Sequence, residues 1–193
     1  MTFISYLLSG ISLGSIYAII ALGYTMVYGI AKMLNFAHGD VIMVGGYVSF
    51  MAMSSAGLPA LPAVLLSVLV CTALGVVIER IAYKPLRGAN SLAVLITAIG
   101  VSYLLQNLAL LIFGANPKSF SSVVPLPALS LAEGKLTISG ETLTAILACV
   151  IVMISLTAFI NKTRAGQAML AVSEDKGAAT LMGVNVNSTI ALT

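Results

Sequence analysis

The run VIMVGGYVSFMAMSSAGLPALPAVLLSVLVCTALGVVI, from Val41 to Ile78, holds no Asp, Glu, Lys or Arg over 38 residues. A bilayer core about 30 Å thick is crossed by about 20 helical residues, each rising about 1.5 Å. The run therefore suffices for two spans if Gly57-Leu-Pro-Ala-Leu-Pro62 turns the chain between them. Three further uncharged stretches, Met1–Ala31, Gly88–Pro117 and Thr142–Asn161, are each long enough for one span. The sequence predicts an all-α fold, a polytopic transmembrane helical bundle with about five spans. A composition 60% hydrophobic and 8% charged, with a mean hydropathy of +1.10, argues against a soluble core.

The remaining global features exclude more than they identify. The net charge of +3 comes from Lys and Arg spread over loops, a pattern that fits membrane orientation and gives no patch for nucleic acid. Cys71 and Cys149 both fall inside apolar runs, so buried thiols are expected rather than a disulfide. No Lys or Arg precedes the first apolar stretch and no short stretch ends in a small-residue cleavage site, which argues against a cleaved signal peptide.

Segment 1, about Ile4 to Ile30, is long for one helix, and a tilt or a break near Gly23 would accommodate it. Gly10, Gly14 and Ala18 offer close approach to another helix. Tyr6, Tyr17, Tyr24 and Tyr28 fall within an arc of about 40° at helical spacing. That stripe is either a wall of a transport path, with Tyr17 and Tyr24 at its middle, or a packing surface with interface anchors at its ends.

Between segments 1 and 2 the chain reads Asn35-Phe-Ala-His-Gly-Asp40, and the apolar stretch that follows, Val41 to about Ala56, is short. A short span opened by polar residues predicts a discontinuous helix that begins inside the protein. Its free N–H groups favour a substrate carboxylate or a nearby acidic side chain. Asn35, His38 and Asp40 are thus candidates for the substrate path, although Asn35 or Asp40 as a helix cap explains the same residues. In segment 4, Ser91 to Phe113, Ser102 and Gln106 are one turn apart, with Asn107 adjacent. They line a cavity, which makes Gln106 a further path candidate, or they hydrogen-bond between helices. Gly114 to Gly140 reads as an external loop. Segment 5, about Glu141 to Ile160, follows it.

Orientation follows from counting. Loops 31–40, 79–90 and 161–187 must share a side, and they hold seven of the nine Lys and Arg residues. The bias of positive charge toward the cytoplasm places them inside and the N-terminus outside.

The last of these loops, Asn161 to Asn187, is a polar island with five of the fifteen charges. Met169, Val172, Ala179 and Met182 recur at helical spacing within it, and Gly183 suits a helix end. One amphipathic helix from Arg164 to Leu181 is expected, its apolar residues, Leu181 included, covered by a partner.

Three strings carry a resemblance. Asn35-Phe-Ala-His-Gly-Asp40 followed by Val44-Gly45-Gly46-Tyr47, Glu79-Arg80-Ile-Ala-Tyr83-Lys84-Pro85-Leu-Arg87, and Thr163-Arg-Ala-Gly-Gln-Ala-Met169 with Ala178-Ala179-Thr180-Leu181-Met182-Gly183-Val184-Asn185-Val186 are together similar to the branched-chain amino acid permease family of ABC importers, the H-type subunit of high-affinity leucine, isoleucine and valine systems. Gly177-Ala178-Ala179 with Gly183 resembles the loop by which such permeases engage their ATPase, except that Gly177 stands where the acidic residue is usual. The resemblance implies one permease domain over 1–193, with 161–187 as a cytoplasmic coupling element. In it Arg164, Met169, Val172, Glu174, Asp175, Ala178, Ala179, Leu181 and Gly183 would meet the ATPase. It also implies ATP-binding subunits, a second permease subunit, an extracytoplasmic binding protein and a bacterial inner-membrane location surrounded by lipid.

No nucleophile, base and orienter set and no glycine-rich phosphate loop is visible. An enzyme, a catalytic centre, a metal site and a bound cofactor are therefore not expected, and ATP would be bound by a separate subunit. Permeases for urea or short-chain amides share much of the pattern. A secondary transporter or channel would normally carry an ionisable residue in mid-membrane, for which only His38 and Asp40 are available. Ser188 to Thr193 reads as the start of another apolar run, so a longer permease is expected.

Overall fold

In the computed structural model of the protein, residues 2–119, 129–131 and 136–193 are described. The fold is all-α and polytopic. Its helices are α1 (Thr2–Ala31), α2 (His38–Ser54), α3 (Ala60–Ile78), α4 (Ser91–Phe113), α5 (Gly140–Lys162), α6 (Arg164–Glu174), α7 (Lys176–Leu181) and α8 (Val186–Leu192). Four of the described helical stretches are long and apolar enough to cross a membrane: Tyr6–Ala31, Ala60–Leu86, Ser91–Phe113 and Gly140–Lys162. The remaining expected span, α2, has only 17 residues. In the loop before α5, Leu129–Leu131 and Leu136–Ile138 form a short antiparallel ladder, with Ser130 opposite Thr137.

The chain divides into two compact units, one of residues 1–30 and 121–189 and the other of residues 31–120 and 190–193. In the first, α1 is one unbroken helix of 30 residues, so of the two alternatives, a tilt or a break near Gly23, the break does not occur. A side chain added at Gly10 or Gly14 would meet nothing within 4 Å, so no described residue uses the close approach they permit. At the start of α5 the Ser139 hydroxyl accepts from Thr142 N at 3.2 Å, which satisfies an otherwise free N–H.

In the second unit the core is Ala37, Ile78, Tyr83, Val94, Ala98 and Leu105. Small residues set the helix spacing, as is usual where lipid removes the hydrophobic drive between helices. Gly45 lies so close to α3 that a Cβ there would stand 2.9 Å from Cys71 Sγ and 3.1 Å from Ser67 Oγ. Both side chains also reach back, Ser67 Oγ donating to Gly45 O at 2.8 Å and Cys71 Sγ to Val41 O at 3.4 Å. Cys71 and Cys149 are free thiols and half-buried, less enclosed than their apolar surroundings imply. Overpacking a helix contact of this kind costs about 1–3 kcal/mol. Gly45→Val is therefore expected to lower the thermal midpoint of the detergent-purified protein, with partial recovery when Ser67→Ala and Cys71→Ala make room; an unchanged midpoint would refute the close packing of α2 on α3.

Pro59 precedes α3, and Pro62 lies in its first turn, where a missing N–H breaks no helical bond. Beyond Ile78 the helix continues as a π-turn, Glu79–Tyr83, and a 3₁₀ turn, Lys84–Leu86. The Glu79 and Arg87 side chains pair across this turn. The segment read from sequence as a loop thus continues α3 in helical turns. The Asn90 side chain accepts from Leu92 N at the start of α4, and Gly114, at φ 77°, ends it.

Candidate functional site

Two regions concentrate polar side chains, one in each unit. The first is the start of α2. Ala37 occupies the N-cap position and no side chain caps the helix, so the alternative in which Asn35 or Asp40 does so is overturned. Both find partners far along the chain instead. Tyr83 Oη donates to Asn35 Oδ1 at 2.9 Å, and Gln106 Nε2 donates to Asp40 Oδ1 at 3.1 Å. The same Gln106 nitrogen donates to Ser102 Oγ, also at 3.1 Å.

Register fixes how deep this cluster lies. Asp40 meets Gln106 and, seven residues further along both helices, the Tyr47 and Phe113 rings stack with centroids 4.2 Å apart. Helices α2 and α4 therefore run parallel at this contact. Gln106 stands fifteen residues beyond Ser91, about 22 Å along the axis. On α3, Cys71 faces Val41 and seven more residues lead to Ile78, the last before the charged Glu79 and Arg80, about 10 Å along the axis. By both measures α2 begins well inside an apolar layer about 30 Å thick.

Asp40 is 7% exposed and its Oδ2 has no hydrogen-bond partner among the described residues. A carboxyl group in the first turn of a helix is favoured by the unpaired N–H groups there. The helix start that sequence reasoning offered to a substrate carboxylate is thus already supplied with an acid of its own. Gln106 is exposed although its amide meets α2, while His38 and Asn35 are half-buried. Asn107 donates to Tyr103 O at 2.7 Å, within its own helix. Tyr17 and Tyr24 lie in the first unit on α1, where Tyr17 is exposed and Tyr24 half-buried. Tyr83 was missed as a site residue: it is buried and holds the segment that leads into α2, but in the sequence its basic neighbours drew attention to orientation.

The second region is the corner formed by α5, α6 and α7. The Thr163 hydroxyl accepts from Gly166 N at 3.0 Å and caps α6. Helix α6 then folds back so tightly that a Cβ on Gly166 would stand 2.4 Å from Ile160 Cα, Ile160 O and Phe159 O. Met169 and Val172, each 1% exposed, follow Gly166 at successive three-residue steps. A single helix from Arg164 to Leu181 does not form. Asp175 takes an extended conformation and its carboxylate caps a new helix, Oδ1 accepting from Gly177 N at 2.7 Å and Ala178 N at 2.9 Å. A side chain at Gly177 would crowd that oxygen at 3.1 Å. The acidic group at the start of α7 is therefore Asp175, two residues before the position where the resemblance sought one.

Gly183, at φ 84°, ends α7 as expected. Gly183 N donates to Thr180 O at 3.0 Å and Val184 N to Ala179 O at 2.9 Å, the paired bonds of a left-handed helix end. Ala179 is 3% exposed, whereas Leu181 and Met182 are 90% and 84% exposed. The expectation that all five apolar residues await a partner is corrected: Met169, Val172 and Ala179 are covered by this chain, and Leu181 and Met182 stand free. Arg164, Glu174, Asp175 and Ala178 are exposed around the corner. Gly166 is a residue whose role sequence reasoning missed; its signal was the position three residues after the capping Thr163.

The model of a family described as branched-chain amino acid transport system, permease component, matches residues 6–193. The chain is 41% identical over 99% of its length to the high-affinity branched-chain amino acid transport system permease protein BraD of Pseudomonas aeruginosa. It is 38% identical, again over 99%, to the proteins named LivH, of the same transport-system description, from Salmonella typhimurium and Escherichia coli. It spans 66% of the length of the first relative and 65% of the others. No solved structure matches it. A multi-pass set of apolar helices, a family match that runs through both polar regions and relatives aligned from end to end of the chain together establish that it belongs to the branched-chain amino acid permease family.

Proposed function

We propose that the chain acts as a membrane-spanning permease subunit, not an enzyme, of an ATP-driven importer that carries branched-chain amino acids across the bacterial cytoplasmic membrane. The relatives' names support the substrate class. The observation that carries the ATP-driven mechanism is the α5–α6–α7 corner, seated on α5 through Gly166 while Leu181 and Met182 protrude. A motor subunit that grips the protruding end moves α5 only if the corner between them is stiff, and burial of Met169, Val172 and Ala179 supplies that stiffness. ATP-binding subunits, a second permease subunit and an extracytoplasmic binding protein complete the assembly. In it Arg164, Glu174, Asp175 and Ala178 surround the motor contact, Met169, Val172, Ala179 and Gly183 shape it, and Leu181 enters it. Residues 1–193 then form part of one membrane domain, with 161–187 as its cytoplasmic coupling element.

Substrate passes the start of α2, by Asn35, His38, Asp40 and Gln106. The test is reconstitution of the full-length permease with its ATPases, partner permease and binding protein in vesicles. ATP-dependent uptake of leucine is expected, and uptake of urea or acetamide instead would reassign the substrate. Orientation is tested separately. In intact cells a membrane-impermeant thiol reagent should label Ser121→Cys, which lies outside the described residues, and spare Ser173→Cys; the reverse pattern overturns the charge-based topology.

A further inference from the structure

We infer that Asp40 and Ser102 form a binding site for the substrate's ammonium group, and that the Gln106 amide nitrogen holds the place of that group when the site is empty. The inference rests on the importer reading above and specifies the chemistry of its path.

The geometry starts from one nitrogen. Gln106 Nε2 lies 3.1 Å from Asp40 Oδ1 and 3.1 Å from Ser102 Oγ, so both amide hydrogens are committed to these two acceptors. A third acceptor, Asp40 Oδ2, lies on the same carboxylate, is buried and is unpaired among the described residues. The amide's two hydrogens thus reach two of the three acceptor atoms and leave Asp40 Oδ2 unmet. A primary ammonium carries three N–H donors and satisfies the full set where the amide cannot.

Charge points the same way. A carboxylate in a dry layer is costly unless a positive group faces it, and the neutral Gln106 amide supplies hydrogen bonds without a countercharge. The substrate's own carboxylate is repelled by Asp40, so an amino acid enters this site with its ammonium end. A neutral amide or urea donates hydrogen bonds here yet leaves the acid uncompensated, which disfavours that class of substrate.

Access comes from Gln106 itself, whose side chain is exposed on α4 while Asp40 lies beneath it. Rotation of one side chain uncovers the carboxylate without parting α2 from α3, whose contact is tighter. Ser102 and Gln106, one turn apart, then act as acceptor and displaceable cover. Asp40 supplies the charge.

The experiment uses the assembled importer carrying Ser102→Cys, with Cys71→Ala, Cys149→Ala and every other native thiol of the assembly replaced. Alkylation of the introduced thiol by a small maleimide is followed with isoamylamine, which keeps the ammonium and the branched tail, or with 4-methylpentanoate, which keeps the tail and a carboxylate. At about ten times its dissociation constant, isoamylamine is expected to slow alkylation about tenfold by occupancy, while 4-methylpentanoate has no effect. Adding Asp40→Asn should abolish the protection and Asp40→Glu restore part of it. Protection by 4-methylpentanoate, or none by either probe with Asp40 in place, overturns the inference. So does undiminished leucine uptake by Asp40→Asn in the otherwise native importer. The alkylation readout does not depend on uptake: an importer that shows amine protection yet carries no branched-chain amino acid refutes the importer reading and leaves the ammonium site standing.

Discussion

Gly166→Ala is expected to abolish ATP-driven uptake while the spanning helices remain inserted. The added Cβ would stand 2.4 Å from two backbone oxygens and one Cα of α5. Backbone at a helix end cannot step aside as a side-chain tip does, so the cost lies at the upper end of the about 1–3 kcal/mol typical of overpacking. Helix α6 has only 11 residues, too few to be stable in water without packing. Its seat depends on Met169 and Val172, whose burial contributes about 1.5–3 kcal/mol each. Displacing Gly166 lifts both side chains together. Trypsin applied to inside-out vesicles should then cut at Arg164 and Lys176 much faster than in the unaltered protein, in parallel with the loss of uptake. Unchanged cleavage and unchanged uptake would falsify the tight return of α6 across α5.

How far such a corner can be read from sequence depends on the range of the interactions that build it. The ends of α4 were legible because each is fixed locally, by Asn90 accepting from Leu92 N and by Gly114 at positive φ. The start of α2 was legible as a short span after polar residues, because an apolar run has a countable length. What Asn35 and Asp40 do there was not. Their partners, Tyr83 and Gln106, are 48 and 66 residues away, and spacing within one helix holds no information about either. The island at 161–187 shows a different limit. Helical periodicity correctly placed Met169 and Val172 on one face, but it is blind to what covers that face. It also overran Asp175, whose carboxylate satisfies the N–H groups of a new helix and so competes with continuation of the old one. The capping residue was in view; the outcome of that competition was not.

The same distinction decides which substitutions test coupling. Ala179→Asp, the natural choice from periodicity, places a charge where this chain itself leaves 3% exposure. It should damage the corner whether or not a motor subunit binds there, since an unpaired buried charge is among the severest defects. Leu181→Asp and Met182→Asp avoid that ambiguity, because both side chains stand free on the described surface, at the last residue and C-cap of α7. Each is expected to leave folding and the thermal midpoint unchanged. Each removes an apolar contact worth about 1.5–3 kcal/mol, which weakens retention of the ATP-binding subunits about tenfold to a hundredfold. The double variant should release them altogether and leave uptake at background. Because the contact is apolar, raising salt should change retention little. If retention collapses in salt while Leu181→Asp and Met182→Asp bind normally, the grip lies instead on the exposed charges Arg164, Glu174 and Asp175. In that case the protruding end of α7 faces solvent or lipid headgroups, and force reaches α5 through α6 alone.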